Sequence, residues 1–429
     1  MEVSTPKSLR NQVIYQVFTR NFSETGSFGE VRSRLDDIKA LGTDIIWFMP
    51  IHPIGKINRK GTLGSPYAAS DFRAVNPEFG TMSDFKGLVE TIHEKGMKCI
   101  IDVAYNHTAP DSVLRSEHPE WFYRRPDGNF GNRVGEWTDV NDLDYSHREL
   151  WDYQIETLKF WAEIVDGFRC DVAPLLPLAF WLKARAEVEK VRENCIWLSE
   201  SIEPDFITYM RGRGMTALSD SEIYQAFDMA YEYDAYGALR AYLNGSGSLD
   251  AYAETLNRQE YTFPDNYVKL RFLENHDQPR AHFLIPDTEQ LKCWTAFLFF
   301  QKGATLIYNG QEYGVAHNPS HFDRDPVRWD APERVDLTHL IARLSSMKHD
   351  PLFTDCTYHV TAPNKDTLVA LRTHEDQEMI GIFPFKGAGA PLHVDFPDGV
   401  YENLISGEAV EVCRGMISCN GKPIILRNF

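Results

Sequence analysis

Several things are scarce or missing in this chain, and each absence narrows what it can be. Positive charge is in deficit: 44 Lys and Arg stand against 62 Asp and Glu, a net charge of −18, and no basic cluster offsets it. A chain this acidic repels a long polyphosphate, so no nucleic-acid partner is expected. Long apolar runs are missing: none reaches bilayer-spanning length, and Met1 to Arg10 has no apolar core after a basic start, so neither a membrane span nor a secretory leader is expected. The seven cysteines (99, 170, 195, 293, 356, 413, 419) are odd in number and lack close metal-ligand spacing; they read as reduced, mostly buried thiols. These points predict a soluble, cytoplasmic protein. No glycine-rich nucleotide fingerprint occurs.

What is present is a repeating alternation. Short runs rich in Val, Ile and Phe alternate with amphipathic segments: Gln12–Phe18 reads as a strand, 28–41 as a helix with Val31, Leu35, Ile38 and Leu41 on one stripe, and Asp44–Pro50 as a strand. Further strands are expected at 98–106, 167–172, 196–199, 226–231, 268–274 and 304–308. Eight such units over most of the chain predict a closed parallel (β/α)8 TIM barrel, with an open doubly wound sheet as the weaker alternative. Between Asn106 and His147 the chain is polar, aromatic and interrupted by Pro110, Pro119 and Pro126, which predicts a small inserted subdomain after strand three. After Asp350 the pattern turns to alternating strands broken by Gly, Pro and Asn, an antiparallel β-sandwich. The expected domains are a barrel over 1–107 and 147–349, an insert over 108–146 and a C-terminal sandwich over 350–429.

In a barrel of this kind chemistry sits at the carboxyl ends of the strands. The segment Asp166-Gly-Phe-Arg-Cys-Asp171 puts Arg169 and Asp171 two residues apart, hence on one strand face. A guanidinium beside a buried carboxyl favours its charged form, and such a carboxylate can be a nucleophile; a structural Arg–Asp pair is the alternative. The other strand ends add Asp102-Val-Ala-Tyr-Asn106-His107, Ser199-Glu200 and Glu274-Asn-His276-Asp277. Carboxylates and histidines from four strands thus converge.

In order and placement, Asp102–His107, Gly167–Asp171, Glu200 and His276–Asp277 resemble the four motif regions of the alpha-amylase family, the retaining glycoside hydrolase family 13. Ile14-Tyr-Gln-Val-Phe, Gly64-Ser-Pro-Tyr67 and Gly310-Gln-Glu extend the resemblance along the chain. It implies that Asp171 is the nucleophile, Glu200 the general acid/base and Asp277 the carboxylate that stabilises the transition state. It also implies that Tyr67 stacks under the reacting sugar, that Asp102, Arg169, His107 and His276 complete the substrate site, and that Arg324 helps bind the non-reducing end. The implied substrate is a malto-oligosaccharide or other small α-glucan, cleaved mainly at α-1,4 bonds with no required cofactor. A retaining pair holds its carboxyls about 5 to 5.5 Å apart.

The chain departs from the family after the nucleophile, where Val172-Ala-Pro174-Leu175 replaces the usual Lys-His pair. That puts the family's calcium site in doubt and leaves Asn106, Asp139 and Asp142 as candidate ligands. Val172 resembles the residue found in members that accept α-1,6 or mixed linkages. An α-1,6 or mixed-linkage glucosidase, a glucanotransferase and, more remotely, a non-catalytic sugar-binding barrel remain the alternatives.

Overall fold

A computed structural model describes residues 5–428 other than 333, 388 and 390; of the Met1–Arg10 segment, residues 1–4 lie outside the described residues. Eight strands, β1 (Val13–Val17), β2 (Ile45–Phe48), β3 (Lys98–Val103), β4 (Gly167–Cys170), β5 (Ile196–Ser199), β6 (Met229–Tyr231), β7 (Val268–Arg271) and β8 (Ala304–Tyr308), close into a barrel. The order around it is β1-β8-β7-β6-β5-β4-β3-β2, and every neighbouring pair is parallel. This is the expected TIM barrel. Nearly every strand residue is buried because the helices cover the outside and side chains fill the inside.

The helices form where the sequence supplies stripe and cap together. Met82–Glu94 starts with a Thr81–Asp84 capping box and buries Phe85, Leu88, Val89 and Ile92 against the barrel. Gly167, at the foot of β4, is needed for close approach: a Cβ there would lie 2.3 Å from the Ile196 carbonyl oxygen of β5.

Between β3 and β4 the chain leaves the barrel, forms a short helix (Val113–Glu117) and returns by pairing His107–Thr108 with Asn141–Asp142. Beyond Asp350 lie two four-stranded antiparallel sheets, β9 (Thr357–Asn364), β10 (Thr367–His374), β11 (Gln377–Pro384) with β16 (Ile424–Asn428), and β12 (Leu392–His393), β15 (Met416–Ile417), β14 (Ala409–Cys413) with β13 (Gly399–Glu402). The first sheet docks on the barrel helix Thr288–Phe300: Phe385 stacks on Trp294 at 3.7 Å, and buried Arg372 donates to the Phe300 and Leu352 carbonyls.

Candidate active site

The parallel register brings the site together. Asp102 on β3 pairs with Arg169 on β4, and Cys170 pairs with Ser199 on β5. The ladder then runs one residue further: Asp171 N donates to Val103 O and Glu200 N to Cys170 O, each at 3.0 Å. Asp171 and Glu200 are therefore fixed at the barrel mouth by backbone hydrogen bonds rather than left on free loops.

One guanidinium organises the acids. Arg169 is fully buried, and its Nη1 donates to Asp102 Oδ1 at 2.8 Å and to Asp171 Oδ1 at 2.8 Å. Its Nη2 lies 3.0 Å from Glu200 Oε2, an ion-pair contact out of line for a hydrogen bond. The residue after Asp171 completes the grip. Val172 adopts left-handed backbone (φ +37°), costly for a β-branched side chain, and this turn lets its N–H donate to Glu200 Oε2 at 2.8 Å.

Burial and neighbouring charge separate the acids. Burial first, then the charges of Asp171 and Asp277, push Glu200 up to about 8 against the pull of Arg169. Burial also raises Asp171 and Asp102, each to about 6, with Arg169 restraining both. Asp277 goes the other way. Desolvation opposes its ionisation, but His276, His321 and Arg169 outweigh it and hold the carboxyl well below the usual range. Near neutrality the site thus presents a protonated Glu200 beside ionised Asp171 and Asp277, a proton donor next to an ionised carboxylate.

Tyr67 and His276 close the floor. Tyr67 Oη donates to Asp102 Oδ2 at 2.9 Å and meets His276 Nε2 at 2.7 Å, with the two rings stacked at 5.4 Å. Gln16 Nε2 donates to His276 Nδ1 at 2.7 Å, which directs Nε2–H toward Tyr67 and toward Asp277 Oδ2 at 3.0 Å. Above these groups opens a cavity of about 440 Å³, the size of a small-ligand site. Asp171, Glu200, Asp277, Tyr67 and His107 all line it.

Residues 14–357 match the family model of the alpha amylase catalytic domain, and residues 359–426 that of the bacterial alpha amylase C-terminal domain. The chain belongs to the alpha-amylase family. It is 28% identical over 426 residues to alpha-amylase MalA of Haloarcula japonica, a match covering 94% of this chain and 59% of that relative's length. Among solved structures it resembles an alpha-amylase from Lactobacillus plantarum, at 46% identity and TM-score 0.95, over 99% of this chain and 100% of that one. It also resembles the maltogenic alpha-amylase AmyB of Thermotoga neapolitana, at 34% identity and TM-score 0.87, over 98% and 99% of the two chains.

Against this family background, two expectations from the sequence meet a different geometry. Arg324 turns away from the cleft: its Nη1 donates to the carbonyls of Glu24 and Thr25, and it is not among the cleft-lining residues. From the same loop, His321 and Phe322 line the cleft. The calcium candidates do not form a set. Asp139 lines the cleft with Lys60 Nζ at 3.1 Å, whereas Asp142 accepts from Arg133 N at 2.7 Å and pairs with its guanidinium at 3.4 Å. The Asn106 amide faces His107 Nδ1 at 3.1 Å. Both acids thus already have a cationic partner, and among the described residues no group of three His, Cys, Asp or Glu side chains is placed to hold a metal ion.

Sequence reasoning passed over several residues of this alpha-amylase-family cleft: Lys60, Trp137, Phe206, Tyr233, His321 and Phe322. Tyr233 was within reach, because it lies just beyond β6 where strand-end reading applies. Phe206 lies on the helix Pro204–Gly212 that follows β5, and the others sit on loops whose paths carry no periodic signal.

Proposed function

We propose that this protein is a retaining glycosidase that cleaves α-glucosidic bonds, mainly α-1,4, in malto-oligosaccharides. Asp171 is the nucleophile: its carboxylate oxygen attacks the anomeric carbon as the bond from that carbon to the leaving oxygen breaks. Glu200 gives its proton to that oxygen. In the second step Glu200 takes a proton from water, the water oxygen bonds to the anomeric carbon, and the bond to Asp171 breaks. Asp277, hydrogen-bonded by His276, accepts hydrogen bonds from the ring hydroxyls of the distorted sugar. Tyr67 offers its face to the ring and His107, kept neutral by burial, donates to a hydroxyl, while His276 acts from behind them, its Nε2–H committed to Tyr67 and Asp277.

The observation that carries the reading is the shared Arg169 guanidinium, within 3.0 Å of both Asp171 and Glu200 while their proton affinities are driven apart. A single planar group between the two carboxyls supports the short spacing of a retaining pair. The names of the relatives, alpha-amylase and maltogenic alpha-amylase, support the substrate class. We assign the barrel to 1–107 and 147–349, the insert to 108–146 and the sandwich to 350–429. The protein acts in the cytoplasm on small saccharides, in keeping with seven free cysteines and with no described helix long and apolar enough to cross a membrane.

One observation favours transfer to a second sugar as a further outcome. Phe206 lines the cleft on the Glu200 side and stacks with half-exposed Tyr209, ring planes 12° apart, a platform on which an acceptor sugar can rest. The test is maltotriose digestion followed by proton NMR and chromatography. First-formed products with the α configuration support the reading, and β products refute retention. Glucose and maltose alone mark hydrolysis, whereas longer saccharides mark transfer.

A further inference from the structure

The cleft is bordered unevenly. Glu200 follows β5, and in the closed strand order β1 lies directly across the barrel from β5. Residues 201–203 and Phe206, in the segment after β5, line the cleft on the acid's own side. Because the acid protonates the leaving oxygen, the departing sugar lies on that side, and the sugar attached to Asp171 extends toward the β1 rim. The loops after β2 and β8 flank β1 and form that rim.

Those two loops are joined by hydrogen bonds. Leu63 N and Gly64 N donate to Phe322 O at 2.9 and 3.2 Å, and Thr62 donates to Asp323 Oδ1 through both N and Oγ1, at 2.8 and 2.6 Å. Buried Arg20 ties them from below, donating to Gly64 O at 2.8 Å and His321 O at 3.1 Å. The approach is close enough to require glycine: Gly61 has φ +61°, and a Cβ there would lie 2.6 Å from Phe322 Cβ.

From this seam one side chain crosses to the inserted segment. Lys60 Nζ pairs with Asp139 Oδ1 at 3.1 Å, donates to Glu136 O at 3.1 Å and stands 5.8 Å from the centre of the Phe322 ring. Lys60, Glu136, Asp139 and Phe322 all line the cleft. Loops that follow three different strands are therefore tied together at one end by hydrogen bonds and an ion pair, whereas beside Glu200 the inserted segment meets the segment after β5 through apolar packing, Val134 and Trp137 against Ile202 and Phe206.

We infer that Lys60 closes the cleft at the end that receives the non-reducing terminus, so that the enzyme is exo-acting: it removes a short saccharide from that terminus and rejects a chain that continues past the strap. The inference rests on the nucleophile and acid assigned above, which define the two ends. Lys60 is a specificity residue here, and Asp139 positions it.

The test compares maltoheptaose carrying a nitrophenyl group at its reducing end with the same saccharide bearing an ethylidene acetal across the two terminal hydroxyls of its non-reducing end. Wild-type enzyme is expected to prefer the free substrate by about 100-fold in kcat/KM, since the blocked terminus has no room. Lys60→Ala lowers that ratio by about 10-fold or more, and Lys60→Arg keeps it high. Asp139→Asn, which removes the same pair from the other side, shifts the ratio in the same sense as Lys60→Ala. The ratio is the readout, so a general loss of activity cancels. A wild-type enzyme that cleaves both substrates equally well overturns the strap and leaves the glycosidase reading standing, as does an unchanged ratio in both Lys60→Ala and Asp139→Asn. A wild-type enzyme inert on both substrates overturns the two readings together.

Discussion

Replacing Glu200 by glutamine separates the proton donor from the rest of the site without changing its shape. Burial and the charges of Asp171 and Asp277 put the Glu200 carboxyl at about 8, and the Asp171–Asp102 pair that shares Arg169 lies at about 6. The reactive form needs Asp171 ionised and Glu200 protonated, so kcat/KM follows a bell between those values, with its acid limb belonging to the coupled pair. On malto-oligosaccharides Glu200→Gln lowers the rate by about 10²–10⁴, the usual contribution of a positioned general acid. On a dinitrophenyl α-glucoside, whose leaving group needs no proton, the first step survives and the alkaline limb disappears. Azide then intercepts the intermediate and yields the α-glycosyl azide. Stability moves as well. The folded carboxyl binds its proton more tightly than the unfolded one, so the stability linked to it is full below 4.5 and is lost as pH rises through about 8. An ionised Glu200 costs on the order of 5 kcal/mol at the upper end, from the displacement of 4.5 to about 8. The Gln variant should therefore melt above wild type, by a margin that opens between those pH values. An alkaline limb that persists unchanged in Glu200→Gln refutes the assignment.

Two further outcomes follow from the same contacts. Tyr67→Phe keeps the ring but leaves Asp102 Oδ2 without its 2.9 Å donor and His276 Nε2 without its 2.7 Å partner, so thermal or urea unfolding should show a loss of about 1–3 kcal/mol, with a raised KM in steady-state assays. Because Lys60 and Arg133 already pair with Asp139 and Asp142, a chelator or added calcium should leave Tm and kcat unchanged in calorimetry and activity assays, while Arg133→Ala lowers Tm.

Much of this was legible in the sequence because the barrel repeats a simple rule. Most of the strands are short, largely apolar runs buried on both faces, β7 with Lys269 and Arg271 being the clearest exception, so the alternation stands out, and the carboxyl-end rule collects Asp102, Arg169, Asp171, Glu200 and Asp277 without knowledge of any loop. What escaped depends on contacts between distant segments. Arg324 faces Glu24 and Thr25 because its loop is pinned to the loop after β2, a pairing that no local pattern encodes. The positive φ of Val172 is hidden because β-branched residues ordinarily avoid it; only the need to present its N–H to Glu200 accounts for it. In the C-terminal domain β13 and β15 leave no mark in the sequence pattern. One begins with glycine and exposes Val400, and the other is two residues long, so neither shows the alternation that marks a half-buried strand.

The central claim, that Asp171 bonds to the sugar, is tested most directly by trapping. Incubation with a fluorinated α-glucosyl fluoride that slows the second step, followed by intact-protein mass spectrometry and peptide mapping, should show one glycosyl adduct on Asp171 and none in Asp171→Asn. An adduct on another carboxylate, or full turnover with no adduct and inverted products, would contradict it.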